Sequence, residues 1–122
     1  MKHTNFFSAL KSAICGVKAF FMESRNARIQ IFLFCFVING GLFFQIEAGE
    51  WLWVGISACL VLCLEAVNTS IEILADLITD DYHPQIKKLK DISAGAVLMA
   101  SFFSLIVGIV IFWPHLSAIL LH

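Results

Sequence analysis

The sequence predicts an all-α integral membrane protein, in which an N-terminal amphipathic helix precedes three transmembrane helices in a single domain, residues 1–122. Composition is the first reason. Of the residues, 60% are hydrophobic and 14% charged, with a mean hydropathy of +0.89. A soluble domain has about 45–50% apolar and about 25% charged residues. The second reason is that the apolar residues form long stretches, which indicates lipid as the solvent of most of the chain.

The first predicted element is an amphipathic helix over residues 5–22. Lys11 and Lys18 lie on one side of this helix. Large apolar residues recur at helical spacing on the other side, and these are Phe6, Phe7, Leu10, Ile14, Val17 and Phe21. Such a helix is typical of a segment that lies in the plane of the membrane interface.

The first transmembrane helix is predicted over residues 29–46. It is rich in Phe and Ile, although Asn39-Gly40-Gly41 weakens its apolar character. The residues that follow, Glu47-Ala-Gly-Glu50, are polar and small, so we expect them to form a short turn before the next span.

The second and third transmembrane helices are predicted over residues 51–77 and 92–113. The second is longer than the roughly 20 residues that a span needs, so one end should project from the hydrocarbon or the helix should tilt. Residues 80–84 are expected to form a loop, and Pro114 is expected to terminate the third span.

The basic residues are confined to two regions of the sequence. No Lys or Arg lies between Arg28 and Lys87, a stretch that includes Glu47 and Glu50. The positive-inside rule therefore places the N-terminus and the loop with Lys87, Lys88 and Lys90 in the cytoplasm, and the C-terminus outside. No nucleic acid partner is expected.

The second span carries a stripe of polar residues, Glu65, Asn68, Glu72 and Asp76. At about 100° per residue they lie at about 0°, −60°, −20° and +20° relative to Glu65, so all four share one helix face. Carboxylates inside a membrane helix are unfavourable and usually functional. Glu72 and Asp76 could instead lie beyond the membrane surface in water, but fourteen residues without a charge precede Glu65.

A stripe of carboxylates suggests metal or proton chemistry near the cytoplasmic face. Mg²⁺ takes oxygen ligands and often shares them with substrate phosphates. The deepest carboxylate, Glu65, is a candidate general base, and basic groups such as Lys90 could neutralise phosphate oxygens. The sequence contains no phosphate-binding Gly-rich loop of the common nucleotide-binding folds.

Three segments of this sequence, and the spacing between them, match the pattern of a known family. They are residues 65–76, Tyr82-His83-Pro84 and residues 90–98. Together with residues 16–28, they make this chain resemble the small prokaryotic diacylglycerol kinase family, which includes the undecaprenol kinases. The resemblance covers nearly the whole chain. It implies a homotrimer in the bacterial inner membrane, with active sites shared between subunits, and transfer of the γ-phosphate of Mg-ATP to the hydroxyl of a membrane lipid.

The resemblance also implies roles for individual residues. Glu65 would be the general base and Asn68 would orient groups at the reacting centre, while Glu72 would bind Mg²⁺. Lys90, Asp91, Asp76 and Arg28 would form or support the ATP site. The acceptor would be diacylglycerol or undecaprenol, and Asn68-Thr69, His83-Pro84 and residues 94–98 resemble the undecaprenol branch slightly more.

One position departs from the family pattern. The family usually has a metal-binding Glu immediately before the Arg-Asn-x-Arg segment, where this chain has Ser24. Glu23 lies one position earlier, about 100° around a helix, and would replace that ligand only if the chain bulges locally. On this basis Ser24→Glu is predicted to raise activity or Mg²⁺ affinity, as a Mg²⁺ titration of activity would show.

Two other classes of function stay open at this stage. The chain could be a catalytically impaired relative that lost its metal ligand at position 24 and acts as a structural membrane subunit. It could also be a small oligomeric proton or ion transporter that uses Glu65. A transporter needs a site open to both faces, whereas the polar stripe reaches only the cytoplasmic side.

Overall fold

The computed structural model describes residues 5–122, and within this range the chain forms four α-helices. They are α1 (Phe6–Glu23), α2 (Arg25–Phe44), α3 (Ala48–Ile78) and α4 (Pro84–Leu120). The predicted all-helical class is therefore confirmed. Lys2, one of the basic residues behind the predicted orientation, lies outside the described residues.

Three of the helices, α2, α3 and α4, are long and apolar enough to cross a membrane. At 1.5 Å per residue, α3 and α4 are about 46 and 55 Å long, whereas the hydrocarbon core is about 30 Å thick. The predicted spans 51–77 and 92–113 lie inside α3 and α4, and α2 ends at Phe44 rather than at residue 46. Which residues lie within the hydrocarbon stays a prediction.

Side chains define where three of the helices begin. Asn5, Ser24 and His83 precede α1, α2 and α4, and each accepts a hydrogen bond from a backbone N–H of the first turn, at 2.8, 3.1 and 3.2 Å. Such caps satisfy N–H groups that have no partner inside the helix. Pro84 follows His83 in the first turn of α4, where a missing N–H is harmless.

The segment Glu47–Glu50, which we expected to form a turn, instead begins α3. The Glu50 carboxylate accepts a hydrogen bond from the Glu47 N–H at 3.1 Å, as in a capping box. The chain reverses direction between α2 and α3 at residues 45–47, where Gln45 adopts a left-handed conformation with φ 53° and ψ 53°. The expected position of the turn was wrong because the two acidic residues act as helix-start residues.

Pro114 does not terminate the last helix, contrary to the expectation from sequence, because α4 continues to Leu120. Proline lacks an N–H and so leaves the carbonyl of Val110 without its helical partner. Membrane helices tolerate such a proline, and the helix continues beyond it to its C-terminal end, where the Leu121 N–H donates to the Ser117 carbonyl at 2.9 Å. The helix α4 therefore extends beyond residue 113, where the third transmembrane span was predicted to end.

The helices pack most extensively between α3 and α4, with α2 against α3. A small apolar core forms at the end of the bundle near the α2–α3 connection, from Ile46, Val54, Val107 and Ile111. Many other large apolar side chains stay exposed, for example Phe32 and Phe36 of α2 at 74% and 75%. A soluble monomer rarely exposes such a surface, so the packing agrees with a lipid environment.

Gly41 sets how closely α2 approaches α3. A Cβ atom at this position would lie 2.5 Å from Cη2 of Trp51 and 3.1 Å from Cδ1 of Ile46. Both side chains belong to the apolar core or pack on it, so they cannot move away without opening a gap. Gly41, one of the two glycines that weaken the apolar pattern of the first span, therefore has a packing role.

Gly41→Ala is expected to lower the free energy of unfolding in detergent by about 1–3 kcal/mol, as overpacking usually does. Gly40→Ala is the matched control, because its Cβ would meet Phe112 at an ordinary 3.5 Å. Both changes gain the same helix propensity, about 1 kcal/mol. Equal stability of the two variants in a denaturant titration would contradict the assigned packing.

Candidate active site

A pocket of about 250 Å³ lies where the α1–α2 junction meets the C-terminal half of α3. We call it the acidic pocket. Four of its lining side chains are carboxylates, from Glu23, Glu65, Glu72 and Asp76. The rest of the lining consists of Ser24, Arg25, Asn26, Thr69 and Ile73. Oxygen-rich walls of this kind suit a hard cation and the phosphates that accompany it.

A larger groove of about 620 Å³ runs between α2, α3 and α4. Its lining is mostly aliphatic and aromatic, with Gln30 and the hydroxyls of Ser57, Ser101 and Ser104 as its polar groups. It carries no Asp, Glu, Lys, Arg or His, so it can hold an apolar chain but offers no acid–base group. Of these two pockets, the acidic pocket is the one lined by ionisable side chains.

Glu65 is the most buried carboxylate of the acidic pocket, with only 4% of its surface exposed. The Ser24 hydroxyl donates a hydrogen bond to Oε1 of Glu65 at 3.3 Å. Thr69, also buried, donates from its hydroxyl to the backbone carbonyl of Glu65 at 2.9 Å. A buried carboxylate is unfavourable unless it is hydrogen-bonded, so Ser24 compensates part of the burial of Glu65.

Asn68 and Glu72 form the next turn of the polar stripe. Nδ2 of Asn68 donates to Oε1 of Glu72 at 3.1 Å. The other amide atom, Oδ1 of Asn68, is buried and has no hydrogen-bond partner among the described residues. An unpaired buried polar atom costs about 1–3 kcal/mol, so this oxygen is available to a cation or a donor that enters the site.

The oxygen atoms present fit Mg²⁺ that is shared with a substrate, rather than a metal held by protein alone. No group of three His, Cys, Asp or Glu side chains within residues 5–122 is close enough to hold a metal ion. Mg²⁺ usually takes one or two carboxylates and completes its shell with water and phosphate oxygens. Glu72 and Glu23 line the pocket and supply carboxylate oxygens of that type, and the unpaired Oδ1 of Asn68 lies one helical turn from Glu72.

Lys90 connects α4 to the edge of the acidic pocket. Its Nζ lies 2.7 Å from Oδ1 of Asp76, and both side chains are substantially exposed. An exposed ion pair contributes about 0–1 kcal/mol to stability, so it is easily exchanged for another partner. The Lys90 ammonium thus lies beside the pocket in a weak ion pair that another anion can replace.

Besides Lys90, two further predicted ATP-site residues do not line the acidic pocket. Asp91 pairs with Lys87 at 2.6 Å, one turn away on the exposed face of α4. Nη1 of Arg28 donates to the carbonyls of Phe21 and Met22 at 2.9 Å and so holds the last turn of α1. The ATP roles of both residues stay predictions.

The other predicted residues come together. Glu65, Glu72, Asp76 and Glu23 line one pocket, Asn68 is hydrogen-bonded to Glu72, and Lys90 is paired with Asp76. Glu23 reaches the pocket because the helix is interrupted at Ser24, which has φ −97° and ψ 109°. The backbone therefore departs from helical geometry next to Glu23. Whether Glu23 binds metal in place of a carboxylate at position 24 stays a prediction.

Sequence reasoning missed part of the lining. It treated Ser24 only as a missing carboxylate, and the structure places its hydroxyl on Glu65. Arg25 and Asn26 also line the pocket. The available signal was the match of the Arg25-Asn-Ala-Arg28 segment to the family pattern, from which only Arg28 was carried to the site.

Known proteins are similar to this chain over most of its length. Residues 11–112 match the family model described as Prokaryotic diacylglycerol kinase. The undecaprenol kinase of Bacillus subtilis (strain 168) is 34% identical over 111 residues, 91% of this chain and 90% of the relative. A diacylglycerol kinase of Synechocystis sp. is 34% identical over 117 residues, which cover 95% of this chain and 67% of the relative.

A shorter match, 34% identical over 59 residues and 48% of each chain, joins this protein to the diacylglycerol kinase of Escherichia coli (strain K12). The family match extends from α1 almost to the end of the last helix, so it includes the acidic pocket. It agrees with three apolar helices of spanning length. The chain therefore belongs to the prokaryotic diacylglycerol kinase family, and it is a multi-pass membrane lipid kinase.

Proposed function

We propose that this chain transfers the γ-phosphate of Mg-ATP to the hydroxyl of a membrane lipid, at the cytoplasmic face of the bacterial inner membrane. The observation that carries the proposal is the acidic pocket. It contains a buried carboxylate, Glu65, and beside it lie an unpaired amide oxygen on Asn68 and the exposed cation Lys90. Phosphoryl transfer needs mainly positioning and neutralisation of charge, which these groups supply.

In the proposed reaction Glu65 acts as general base. Oε1 of Glu65 accepts a hydrogen bond from Ser24, while Oε2 makes none with the described residues. Oε2 takes the proton of the lipid hydroxyl as the hydroxyl oxygen bonds to the γ-phosphorus. The bond from this phosphorus to the bridging oxygen breaks, and ADP leaves.

Asn68, Glu72 and Glu23 are the proposed oxygen donors for Mg²⁺. When bound, the ion neutralises phosphate oxygens and helps to align the γ-phosphate. Lys90 exchanges its pairing with Asp76 for an ATP phosphate, while Asp91 and Arg28 support the same site from outside the pocket. Because the Lys90–Asp76 pair is exposed, this exchange has a small energetic cost.

The acceptor is a lipid alcohol of the diacylglycerol or undecaprenol type. Residues 68–69, 83–84 and 94–98 favour undecaprenol. Both acceptors appear in the names of relatives at the same 34% identity, so the relatives do not separate them.

We further propose a homotrimer with sites shared between subunits, and α1 lying on the cytoplasmic membrane surface with its apolar side chains in the lipid.

The test is transfer of labelled phosphate from ATP by purified protein in mixed micelles, with diacylglycerol and undecaprenol offered in parallel. Transfer to undecaprenol at the higher kcat/KM is expected. Preferred transfer to diacylglycerol would contradict undecaprenol as the acceptor but would still support lipid kinase activity. Absence of transfer to either lipid by folded protein in ample Mg²⁺ would favour an impaired relative, and ion flux through vesicles that is lost in Glu65→Gln would favour a transporter.

A further inference from the structure

Ser24 makes four hydrogen bonds at the junction of α1 and α2, one of which is the first helical bond of α2, from the Arg28 N–H to the Ser24 carbonyl at 3.4 Å. Its backbone N–H donates to the Phe20 carbonyl at 2.8 Å, which closes the last turn of α1. Its hydroxyl oxygen accepts from the Ala27 N–H at 3.1 Å, which begins α2. The same hydroxyl donates to Oε1 of Glu65, 41 residues away on α3.

The hydrogen bond that caps α2 determines that the Ser24 hydroxyl is the donor in its hydrogen bond with Glu65. A hydroxyl has one proton, and its lone pair here faces the Ala27 N–H. The proton must therefore point elsewhere, and the nearby acceptor is the Glu65 carboxylate, which when ionised can only accept. Both Ser24 and Glu65 are buried, at 7% and 4% exposure, so solvent competes little for this bond.

We propose that Ser24 is a positioning residue for Glu65, so that the position at which the chain departs from its family has a catalytic consequence of its own. By holding Oε1, the hydroxyl directs Oε2 toward the acidic pocket, where it meets the acceptor hydroxyl. Ser24 itself touches neither substrate nor metal. The inference rests on the proposed function, because it assumes that Glu65 is the base.

Three substitutions separate this role from helix capping. Ser24→Thr keeps the hydroxyl. Ser24→Gly removes it but keeps the start of α2, since glycine at an N-cap is weaker than serine by only a few tenths of a kcal/mol. Ser24→Ala removes both functions. The readouts are kcat and KM for lipid phosphorylation, the unfolding midpoint in detergent, and the infrared carboxylate band that disappears in Glu65→Gln.

We expect kcat to fall about 10-fold or more in both Ser24→Gly and Ser24→Ala, as for loss of a hydrogen bond to a charged group. KM for ATP should change little, and Ser24→Thr should restore kcat. Only Ser24→Ala should lower the unfolding midpoint clearly. The Glu65 carboxylate band should shift in Ser24→Gly and return in Ser24→Thr.

The proposal is overturned if Ser24→Gly retains the wild-type kcat, or if kcat follows the unfolding midpoint through the series. Either result would leave Ser24 as a helix cap alone. A wild-type protein that phosphorylates no lipid would instead refute the proposed function, and the positioning role with it. In that case an unmoved carboxylate band in Ser24→Gly would also refute the contact itself.

Discussion

Glu65→Gln is expected to lower kcat for lipid phosphorylation by about 10²- to 10⁴-fold, the usual contribution of a general base. Glutamine has the same shape as glutamate, and its carbonyl oxygen can accept the hydrogen bond that Ser24 now donates to Oε1. The packing around position 65 is therefore preserved, and only the ability to take a proton is lost. Labelled-phosphate transfer under saturating ATP measures the effect.

The matched control is Glu47→Gln, the same chemical change at the opposite end of α3. Glu47 is exposed and precedes the first turn of the helix. Its substitution should leave kcat within about twofold of wild type, because Glu47 does not line the acidic pocket and glutamine keeps a side-chain oxygen for the capping box. If Glu65→Gln keeps a tenth or more of the wild-type kcat, another group accepts the proton and the assignment of the base is wrong.

Glu72→Gln is expected to raise the Mg²⁺ concentration for half-maximal activity by about 10- to 100-fold, comparable with changes to groups that support metal ligands. The substitution keeps an oxygen for the hydrogen bond from Asn68 and removes one negative charge. It also leaves Oδ1 of Asn68 buried and unpaired, so the site stays incomplete. High Mg²⁺ should recover part of the activity.

A second measurement, independent of activity, is binding of Mn²⁺ and ATP followed by electron paramagnetic resonance. The matched control is Asp81→Asn, which removes an exposed carboxylate from the α3–α4 connection outside the acidic pocket. An unchanged Mg²⁺ requirement in Glu72→Gln would show that Glu72 is not a metal ligand. Equal shifts in both variants would indicate a general effect of net charge.

The helices were predictable because their signals are local. Apolar composition over whole stretches indicates spanning helices, and a 3.6-residue period places Glu65, Asn68, Glu72 and Asp76 on one face before any tertiary contact is known. The structure places these residues in or beside one pocket. The error at residues 47–50 concerns a helix start, where a side-chain hydrogen bond decides between turn and helix. The error at Pro114 concerns a proline that α4 accommodates in its interior.

The contacts of the site were less predictable because they join distant segments. Nothing in the local pattern places Ser24 against Glu65 across 41 residues. Arg28 matches the family pattern, yet its guanidinium holds carbonyls of α1. The structure also identifies two costs of Ser24→Glu: loss of the hydroxyl cap of α2, and a further carboxylate beside Glu65. Any gain in Mg²⁺ affinity has to exceed both.

The interruption of the helix at Ser24 also makes positions 23 and 24 depend on each other, because both line the acidic pocket. Exchanging Ser and Glu between these two positions takes two substitutions, and each order of events passes through a different intermediate. One intermediate has acids at both positions, next to the buried Glu65, and the other has none at the junction. The first places an additional negative charge in the pocket and the second removes a proposed ligand. The two positions are thus epistatic, and single substitutions at either one will understate what the pair does together.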